Sequence, residues 1–324
     1  MPAMIKRTLG TTDMAISAVG IGAFGIGGWM WGEQDDADSS RAIAAALAEG
    51  VNWIDSAPIY GSGRADQVVA AAVRDLPASQ RPLIFTKFGH HLVDGKRISR
   101  GHRGQVIADC EYNLRAFAAE RLDLFQLHWP TPDPISETAA ACGELLKAGK
   151  IRAIGLCNAS LVELEAWRAT GVPVQSVQNA YSVFKTEAER EVLPWCAEHQ
   201  VAFLAYSPLQ RGMLFGSWTA DKRFPPGDHR AERADFRGAR LRRFLEAVGE
   251  IKAIAEEDGL SCAELAIGCL MCCEGMTACI VGARNADQGA FLGRLGMAVT
   301  ARQLSAVDAL CARLQHDLAG IVET

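Results

Sequence analysis

Eight short apolar runs recur along this chain, and amphipathic or glycine-rich stretches separate them. The runs are apolar almost throughout, which is typical of parallel strands that are covered on both faces. They comprise residues 17–21, 51–54, 83–85, 122–127, 151–156, 174–177, 201–205 and 278–281. This alternation over about 300 residues predicts an α/β fold, a (β/α)8 TIM barrel with residues 1–324 as a single domain. A doubly wound sheet, which does not close, is the alternative.

Four glycines support the alternation, because each follows a segment with helical spacing. Glycine readily adopts the left-handed conformation with which helices commonly end. These glycines are Gly50, Gly149, Gly171 and Gly259. Residues 211–240 are rich in Gly, Pro and charge, which predicts a long loop after strand 7. Residues 301–318 predict a C-terminal helix.

The charge balance argues against nucleic acid as a partner. The 324 residues include 33 basic and 38 acidic side chains, a formal net charge of −5, whereas nucleic-acid binding favours a basic face. No run of about 18 apolar residues predicts a membrane span, and the first ten residues lack the apolar core of a signal peptide. We therefore expect a cytoplasmic protein that binds neither nucleic acid nor membrane.

The ten cysteines are interpreted as reduced thiols, since disulfides are rare in the cytoplasm. Cys269, Cys272 and Cys273 lie close together, but no second Cys or His pair follows at the spacing of a zinc site. We interpret this cluster as buried helix thiols and expect no metal site.

Polar residues suited to chemistry follow most of the predicted strands. Asp55 follows the second strand, Lys87 the third and His128 the fourth. The polar residues after the next three strands are Asn158, Gln178, Tyr206 and Ser207. In a (β/α)8 barrel the carboxyl ends of the strands share one face, where active sites lie, so we expect these residues to converge. The alternative is that a strand simply has to end in something polar, which explains an acid, a lysine and a histidine in succession less well.

Tyr60, five residues after Asp55, is a candidate proton donor or acceptor. A free tyrosine has a pKa of about 10. A lysine charge about 5 Å away, at an effective dielectric constant of about 20, favours tyrosinate by roughly 3 kcal/mol, or about two pKa units. Asp55 would keep Lys87 charged, and His128 could hydrogen-bond a substrate oxygen. The four residues predict proton transfer at an oxygen, with a cofactor supplying the electrons.

The segment Gly20-Ile21-Gly22-Ala23-Phe24-Gly25 matches the dinucleotide-binding pattern G-x-G-x-x-G. That pattern requires a helix to begin at once, whereas Ile26-Gly27-Gly28-Trp29-Met30-Trp31-Gly32 is unsuited to a helix. We favour a glycine-rich loop at the barrel mouth over a Rossmann site. Trp29 and Trp31 would line a substrate pocket there, or else pack against the loop or the core.

Several motifs, in order, resemble those of the aldo-keto reductase family. Val51-Asn52-Trp53-Ile54-Asp55-Ser56-Ala57-Pro58-Ile59-Tyr60-Gly61 looks like its signature N-x-I-D-[ST]-A-x-x-Y-G. Leu127-His128-Trp129-Pro130 looks like its histidine motif. Gly149-Lys150-Ile151-Arg152-Ala153-Ile154-Gly155 resembles its fifth strand, and Ala205-Tyr206-Ser207-Pro208-Leu209 its seventh. The resemblance covers nearly the whole chain. Within the family, the chain resembles the bacterial branch that is similar to the channel β subunits.

This resemblance implies an NADP-dependent oxidoreductase that reduces aldehydes or ketones. It implies Tyr60 as general acid, Lys87 and Asp55 as its tuning pair, and His128 as the residue that orients the substrate. The cofactor-binding positions it implies are Ala23, Phe24, Asn158, Gln178, Tyr206, Ser207, Leu209, Arg211, Gly282, Ala283, Arg284 and Gln288. The predicted substrate-pocket residues are Trp29, Trp31 and Trp129.

Each part of the cofactor has implied partners. Asn158 and Gln178 would hold the nicotinamide carboxamide, and Tyr206 would stack on the ring. The pyrophosphate would follow Ser207, Leu209 and Arg211, and the adenosine end would lie at 282–288. Arg284 could pair with a 2′-phosphate, so NADP is expected rather than NAD.

The chain departs from the family pattern at three places. Cys157-Asn158 replaces the usual Ser-Asn, and Ala65-Asp66 replaces Ser-Glu. Phe291-Leu292 stands where Glu-Asn is usual near the adenine, which puts the adenine contacts in question. Two alternative functions stay open: a dehydrogenase of sugars or other alcohols, and a cofactor-binding regulatory subunit.

Overall fold

The computed structural model describes residues 4–93 and 95–321. Its strands are β1 (Lys6–Thr8), β2 (Ala15–Ser17), β3 (Val19–Gly22), β4 (Trp53–Asp55), β5 (Leu83–Phe88), β6 (His90–Val93), β7 (Lys96–Ser99), β8 (Leu124–Leu127), β9 (Ile154–Cys157), β10 (Ser176–Ala180), β11 (Ala202–Tyr206) and β12 (Met276–Val281). Its α-helices are α1 (Asp36–Ala48), α2 (Arg64–Val73), α3 (Arg103–Ala116), α4 (Ile135–Lys147), α5 (Leu161–Arg168), α6 (Val192–Glu198), α7 (Gly238–Glu256), α8 (Cys262–Met271), α9 (Ala286–Phe291) and α10 (Ala301–Ala319). The single domain is expected over residues 1–324, and its two ends lie outside the described residues. The N-terminal segment, which is expected to lack a signal peptide, also begins outside them.

Eight of these strands form a closed parallel barrel, in the order β3-β4-β5-β8-β9-β10-β11-β12. The barrel closes where β12 pairs with β3, from Cys279 opposite Val19 to Val281 opposite Ile21. Helices cover the outside, so the strands are buried on both faces, as their continuous apolar runs predict. The predicted single-domain (β/α)8 barrel is therefore confirmed, and the doubly wound alternative is wrong because that sheet would have open edges.

Large side chains fill the interior of the barrel rather than leaving a pore. Trp53, Phe85, Leu124 and Leu204 belong to one buried cluster, and each is fully shielded from solvent. The β1–β2 hairpin adds Leu9 and its neighbours to this cluster and so closes the amino end. A filled core of this kind leaves only the carboxyl-end mouth for ligands.

A close contact between α1 and α9 explains a glycine outside the barrel. A Cβ atom on Gly289 would lie 2.1 Å from the carbonyl oxygen of Ala42, so only glycine permits this approach. The contact anchors the short helix that follows β12, and with it residues 282–288, beside the mouth.

The eight predicted barrel strands are present, and each end lies within three residues of the predicted one. Neither antiparallel hairpin, β1–β2 or β6–β7, was predicted, because their strands mix charged or polar residues with apolar ones and form no continuous apolar run. The predicted loop 211–240 contains three short 3-10 turns joined by irregular segments, and α7 begins inside it at Gly238. The C-terminal helix is confirmed as Ala301–Ala319.

All four glycines predicted to end helices have positive φ angles, as expected for left-handed residues. Within residues 4–93 and 95–321, no helix is both long and apolar enough to cross a bilayer. Every described cysteine is a free thiol. The interpretation of the 269–273 cluster as buried is right for Cys269 and wrong for Cys272, which is exposed at the end of α8.

Candidate active site

The four residues predicted to converge do lie together at the carboxyl end of the barrel. Asp55 ends β4, Lys87 lies next to the end of β5, and His128 directly follows β8. Tyr60 opens the 3-10 turn after β4. The Lys87 Nζ atom lies 5.2 Å from the centroid of the Tyr60 ring, and the rings of Tyr60 and His128 are 5.8 Å apart, edge to face.

Lys87 and Asp55 form a buried ion pair beneath the mouth. Their side chains are 1% and 3% exposed, and the ammonium donates to Asp55 Oδ1 and, over 3.0 Å, to the carbonyl oxygen of Ser56. A buried ion pair is favourable only when its remaining hydrogen-bonding capacity is used. The hydrogen-bond partners of the other carboxylate oxygen, Asp55 Oδ2, therefore decide whether this buried pair is favourable.

Two buried glutamines satisfy that second oxygen. The Nε2 atoms of Gln178 and Gln126 donate to Asp55 Oδ2 over 2.8 and 3.1 Å. Gln178 Nε2 also donates to Gln126 Oε1 over 3.0 Å, so the three side chains form one network. Gln126 was not predicted from the sequence. The available signal was a polar residue in the middle of the apolar run 122–127, where a strand buried on both faces admits one only if it is hydrogen-bonded.

The electrostatics of Tyr60 differ from the sequence expectation. Burial raises the pKa of Tyr60 to about 12; the Lys87 charge lowers it, and the Asp55 charge raises it again. The expected shift toward tyrosinate is therefore wrong, because desolvation of the buried phenol outweighs the effect of the ammonium. Tyr60 is a protonated donor at neutral pH. Burial by itself lowers the pKa of Lys87, but the charge and hydrogen bond of Asp55, together with Tyr60 and Cys157, outweigh burial and hold that pKa above its ordinary value.

His128 is a neutral imidazole at the mouth. Burial, followed by the nearby Lys87 charge, lowers the pKa of His128 well below its ordinary value. A second imidazole, His90 of the β6–β7 hairpin, packs edge to face against it with ring centroids 5.4 Å apart. The Nδ1 atom of His90 is hydrogen-bonded to Ser99 Oγ at 3.0 Å. His90 was not predicted, because it lies in the hairpin that follows β5 and not at the end of a barrel strand.

The next three strands place amide and phenol groups beside this set. Asn158 follows β9 with a positive φ of 56°, donates from Nδ2 to the carbonyl oxygen of His128 over 2.9 Å, and accepts from the Tyr206 hydroxyl over 2.7 Å. The Oε1 atom of Gln178 accepts no hydrogen bond from any side chain in the described part of the chain. The second N–H of Asn158 Nδ2 and the Oε1 atom of Gln178 thus stay available. They are the one donor and one acceptor that a primary carboxamide requires.

The loop after β11 contains the predicted residues Ser207, Leu209 and Arg211. Ser207 and Arg211 have φ angles of 55° and 54°, so the chain turns sharply at both, and Leu209 is buried. The Arg211 Nη1 atom lies 2.8 Å from His229 Nε2, and His229 Nδ1 lies 2.7 Å from the carbonyl oxygen of Met30. His229 therefore links this loop to the glycine-rich loop across the mouth, a link between distant segments that no local pattern shows.

The glycine-rich loop supplies a cluster of aromatic rings. The Phe24 centroid lies 4.9 Å from that of Tyr60, 5.8 Å from that of Trp31 and 6.4 Å from that of Trp29. Ala23 is buried beneath it. The other predicted pocket residue, Trp129, is 43% exposed at the rim.

The glycine motif itself does not form a phosphate-binding turn. Turns follow β3, and the next helix begins only at Asp36, so the Rossmann alternative is wrong. A Cβ atom on Gly20 would lie 2.2 Å from the Trp53 indole. Gly20 therefore makes room for a barrel side chain.

A cavity of about 630 Å³ lies at the predicted adenosine end, beside Arg284, Gln288 and the 33–38 segment. Ala283 is buried, whereas Gly282 and Gln288 are exposed. Of the two departures near the adenine, Leu292 is 1% exposed and lies in the core, so it presents no surface to a ligand. Phe291 packs against Phe215 with ring centroids 6.1 Å apart.

Comparison with known proteins agrees with this geometry. The model of the aldo/keto reductase family matches residues 18–310. Aldo-keto reductase YhdN of Bacillus subtilis (strain 168) is 32% identical over 287 residues, which cover 88% of this chain and 86% of that protein. The NADH-specific methylglyoxal reductase of Escherichia coli (strain K12) is 28% identical, with 88% of this chain and 91% of that protein covered.

A solved structure agrees as well. The glycerol dehydrogenase AKR11B4 from Gluconobacter oxydans superposes with a TM-score of 0.89 at 31% identity, and the match covers 98% of this chain and 97% of that one. The closed barrel, the four converging residues and the family match over residues 18–310 have one explanation. The chain belongs to the aldo/keto reductase family and is an NAD(P)-dependent oxidoreductase.

Proposed function

We propose that this protein reduces small aldehydes or ketones to alcohols with NADPH and takes the proton from Tyr60. The observation that carries the proposal is the placement of a protonated Tyr60 ring 5.2 Å from the ammonium of a buried Lys87–Asp55 pair. The nicotinamide cofactor supplies a hydride to the carbonyl carbon when it is bound. The rest of the chemistry, orientation of the carbonyl and delivery of one proton, falls to the protein.

The four site residues then have distinct roles. Tyr60 is the general acid, because its hydroxyl keeps its proton at neutral pH. Lys87 stabilises the phenolate that this step leaves behind, and Asp55 keeps Lys87 charged and in place. His128 is neutral, so it orients the carbonyl oxygen through a hydrogen bond and adds no positive charge.

The cofactor assignment is supported by the amide and loop geometry. Asn158 Nδ2 and Gln178 Oε1 would offer the donor and acceptor for the carboxamide, and Tyr206, whose hydroxyl donates to Asn158 Oδ1, would stack on the nicotinamide. The remaining contacts are assigned to Ala23, Phe24, Ser207, Leu209, Arg211, Gly282, Ala283, Arg284 and Gln288. The preference for NADP rests on Arg284, the basic side chain of the adenosine-end cavity.

The aromatic cluster forms the substrate pocket in this proposal. Trp29, Trp31 and Trp129 surround the mouth with Phe24, and His90 adds a polar group beside His128. Small carbonyl compounds are the proposed occupants of this pocket. The names of two relatives, a methylglyoxal reductase and a glycerol dehydrogenase, support this substrate class.

Oxidation of an alcohol is the second candidate, and the glycerol dehydrogenase match favours it. The same four residues serve both directions, because Tyr60 gives the proton in reduction and receives it in oxidation. A regulatory subunit without turnover is not favoured, since the relatives named above are enzymes. We also propose that residues 1–324 act as one cytoplasmic domain without a nucleic-acid partner.

Binding and turnover test the proposal directly. Titration of the protein with NADPH, followed by tryptophan fluorescence, is expected to show saturable quenching, because Trp29 and Trp31 lie beside Phe24 at the mouth. NADPH oxidation at 340 nm is then expected with methylglyoxal or glyceraldehyde, and NADP+ reduction with glycerol. Saturable binding without turnover in either direction would favour the regulator, and the absence of binding would reject the whole proposal.

The pH profile follows from the protonation states. Reductive kcat is expected to vary by less than about twofold between pH 6.5 and 9, since Tyr60 with a pKa of about 12 loses its proton only above this range. His128 stays neutral over the same range, because its pKa lies well below 6.5. The measurement is kcat at saturating cofactor and substrate. A midpoint between pH 7 and 8 would show that one of the two groups titrates there.

A further inference from the structure

The adenosine-end cavity carries more negative than positive charge. Its charged lining residues are Glu33, Asp35, Asp38 and Arg284, three carboxylates and one guanidinium. A 2′-phosphate carries about −1.5 to −2 charges at neutral pH, so its binding depends on this balance more than binding of a 2′-hydroxyl does.

The guanidinium of Arg284, the basic group of this lining, already makes hydrogen bonds to the protein. The Arg284 Nε atom donates to Gln34 Oε1 over 2.5 Å, Nη1 to the carbonyl oxygen of Trp31 over 3.3 Å, and Nη2 to that of Glu33. Gln34 in turn donates to the Arg284 carbonyl oxygen over 2.8 Å. All three guanidinium nitrogens thus hold the 31–34 segment in place, which leaves two of the five N–H groups for a ligand.

The three carboxylates differ in how far they are neutralised. Asp38 is paired with Arg41 at 2.5 Å, and Asp35 Oδ1 caps α1 by accepting from the Asp38 amide over 2.8 Å. Glu33 is exposed, and its carboxylate has no ion-pair partner within the described residues. Its charge is therefore offset by no cation in the described part of the chain and acts on a ligand in the cavity subject to solvent screening alone.

We propose that Glu33 is a specificity-determining residue that weakens binding of the cofactor 2′-phosphate and narrows the preference for NADPH over NADH. The inference rests on the proposed function, since it places the adenosine end in this cavity. The carboxylate repels a phosphate, whereas it does not repel the neutral 2′-hydroxyl of NADH. The chain therefore uses both cofactors.

The test compares Glu33→Gln with the wild type in fluorescence titrations with NADPH and NADH. NADPH is expected to bind about three- to tenfold more tightly to the variant, and NADH with less than about a twofold change. Glu274→Gln is the matched control: Glu274 is exposed and precedes β12, at the opposite end of the barrel, so neither dissociation constant should change. A circular dichroism melt shows that each variant is folded.

A second measurement needs no variant. Repulsion from exposed charges is screened by salt, with a Debye length of about 10 Å at 0.1 M and about 3 Å at 1 M. The ratio of the NADH to the NADPH dissociation constant in the wild type should therefore rise with salt. A falling ratio, or equal effects of Glu33→Gln on both cofactors, would overturn the inference and leave the proposed function intact. If neither cofactor binds the wild type, the proposed function itself fails.

Discussion

Tyr60→Phe is expected to lower reductive kcat by about 10³-fold and to leave the dissociation constant of NADPH within about twofold, because it removes a proton donor and little else. The phenyl ring keeps the packing against Phe24, whose centroid lies 4.9 Å away, and the contact with the Lys87 ammonium at 5.2 Å. A loss of this size corresponds to about 4 kcal/mol in the activation free energy. Steady-state kinetics and fluorescence titration measure the two quantities separately.

Tyr112→Phe is the matched control for this experiment. It deletes the same atom from a tyrosine on α3 that is 39% exposed and stands outside the four-residue set. Its turnover should match the wild type. Full turnover of Tyr60→Phe would exclude Tyr60 as the general acid, and a large loss of NADPH affinity would show that the hydroxyl serves binding instead.

Lys87→Met is expected to abolish measurable turnover and to lower the free energy of unfolding by about 3–5 kcal/mol, because it leaves the Asp55 carboxylate buried without its counter-ion. Lys87 and Asp55 are both at most 3% exposed, so water cannot replace the lost partner cheaply. Gln126 and Gln178 still donate to Asp55 Oδ2, and these two bonds limit the loss. Urea unfolding at neutral pH measures the stability change.

The double variant Lys87→Met/Asp55→Asn separates the structural role of Lys87 from its chemical role. Removal of the orphaned charge should restore much of the lost stability, since a neutral amide costs less to bury than an unpaired carboxylate. Turnover should stay lost, because no positive charge stabilises the Tyr60 phenolate. Recovery of turnover together with stability would show that Lys87 serves only to balance Asp55.

The order of elements along the chain already contained the architecture of this protein. Continuous apolar runs predict strands that are buried on both faces, and glycines after helical segments predict where the helices end. Because all barrel strands run in parallel, Asp55, Lys87 and His128 share one face once the barrel closes. The convergence of these residues follows from local patterns and a single topological rule.

Burial and long-range contacts were decided only by the tertiary structure. Gln178 and Asp55 are 123 positions apart in the chain, and Arg284 and Gln34 are 250 apart, so no local pattern relates them. Desolvation reversed the expected shift in the pKa of Tyr60, and desolvation depends on every element packed around the phenol. The sequence by itself determined which chemical groups reach the barrel mouth. The protonation of these groups depends on the dielectric surroundings that only the closed barrel creates. The number of Arg284 N–H groups that stay free for a ligand depends on hydrogen-bond partners that only the folded chain brings near.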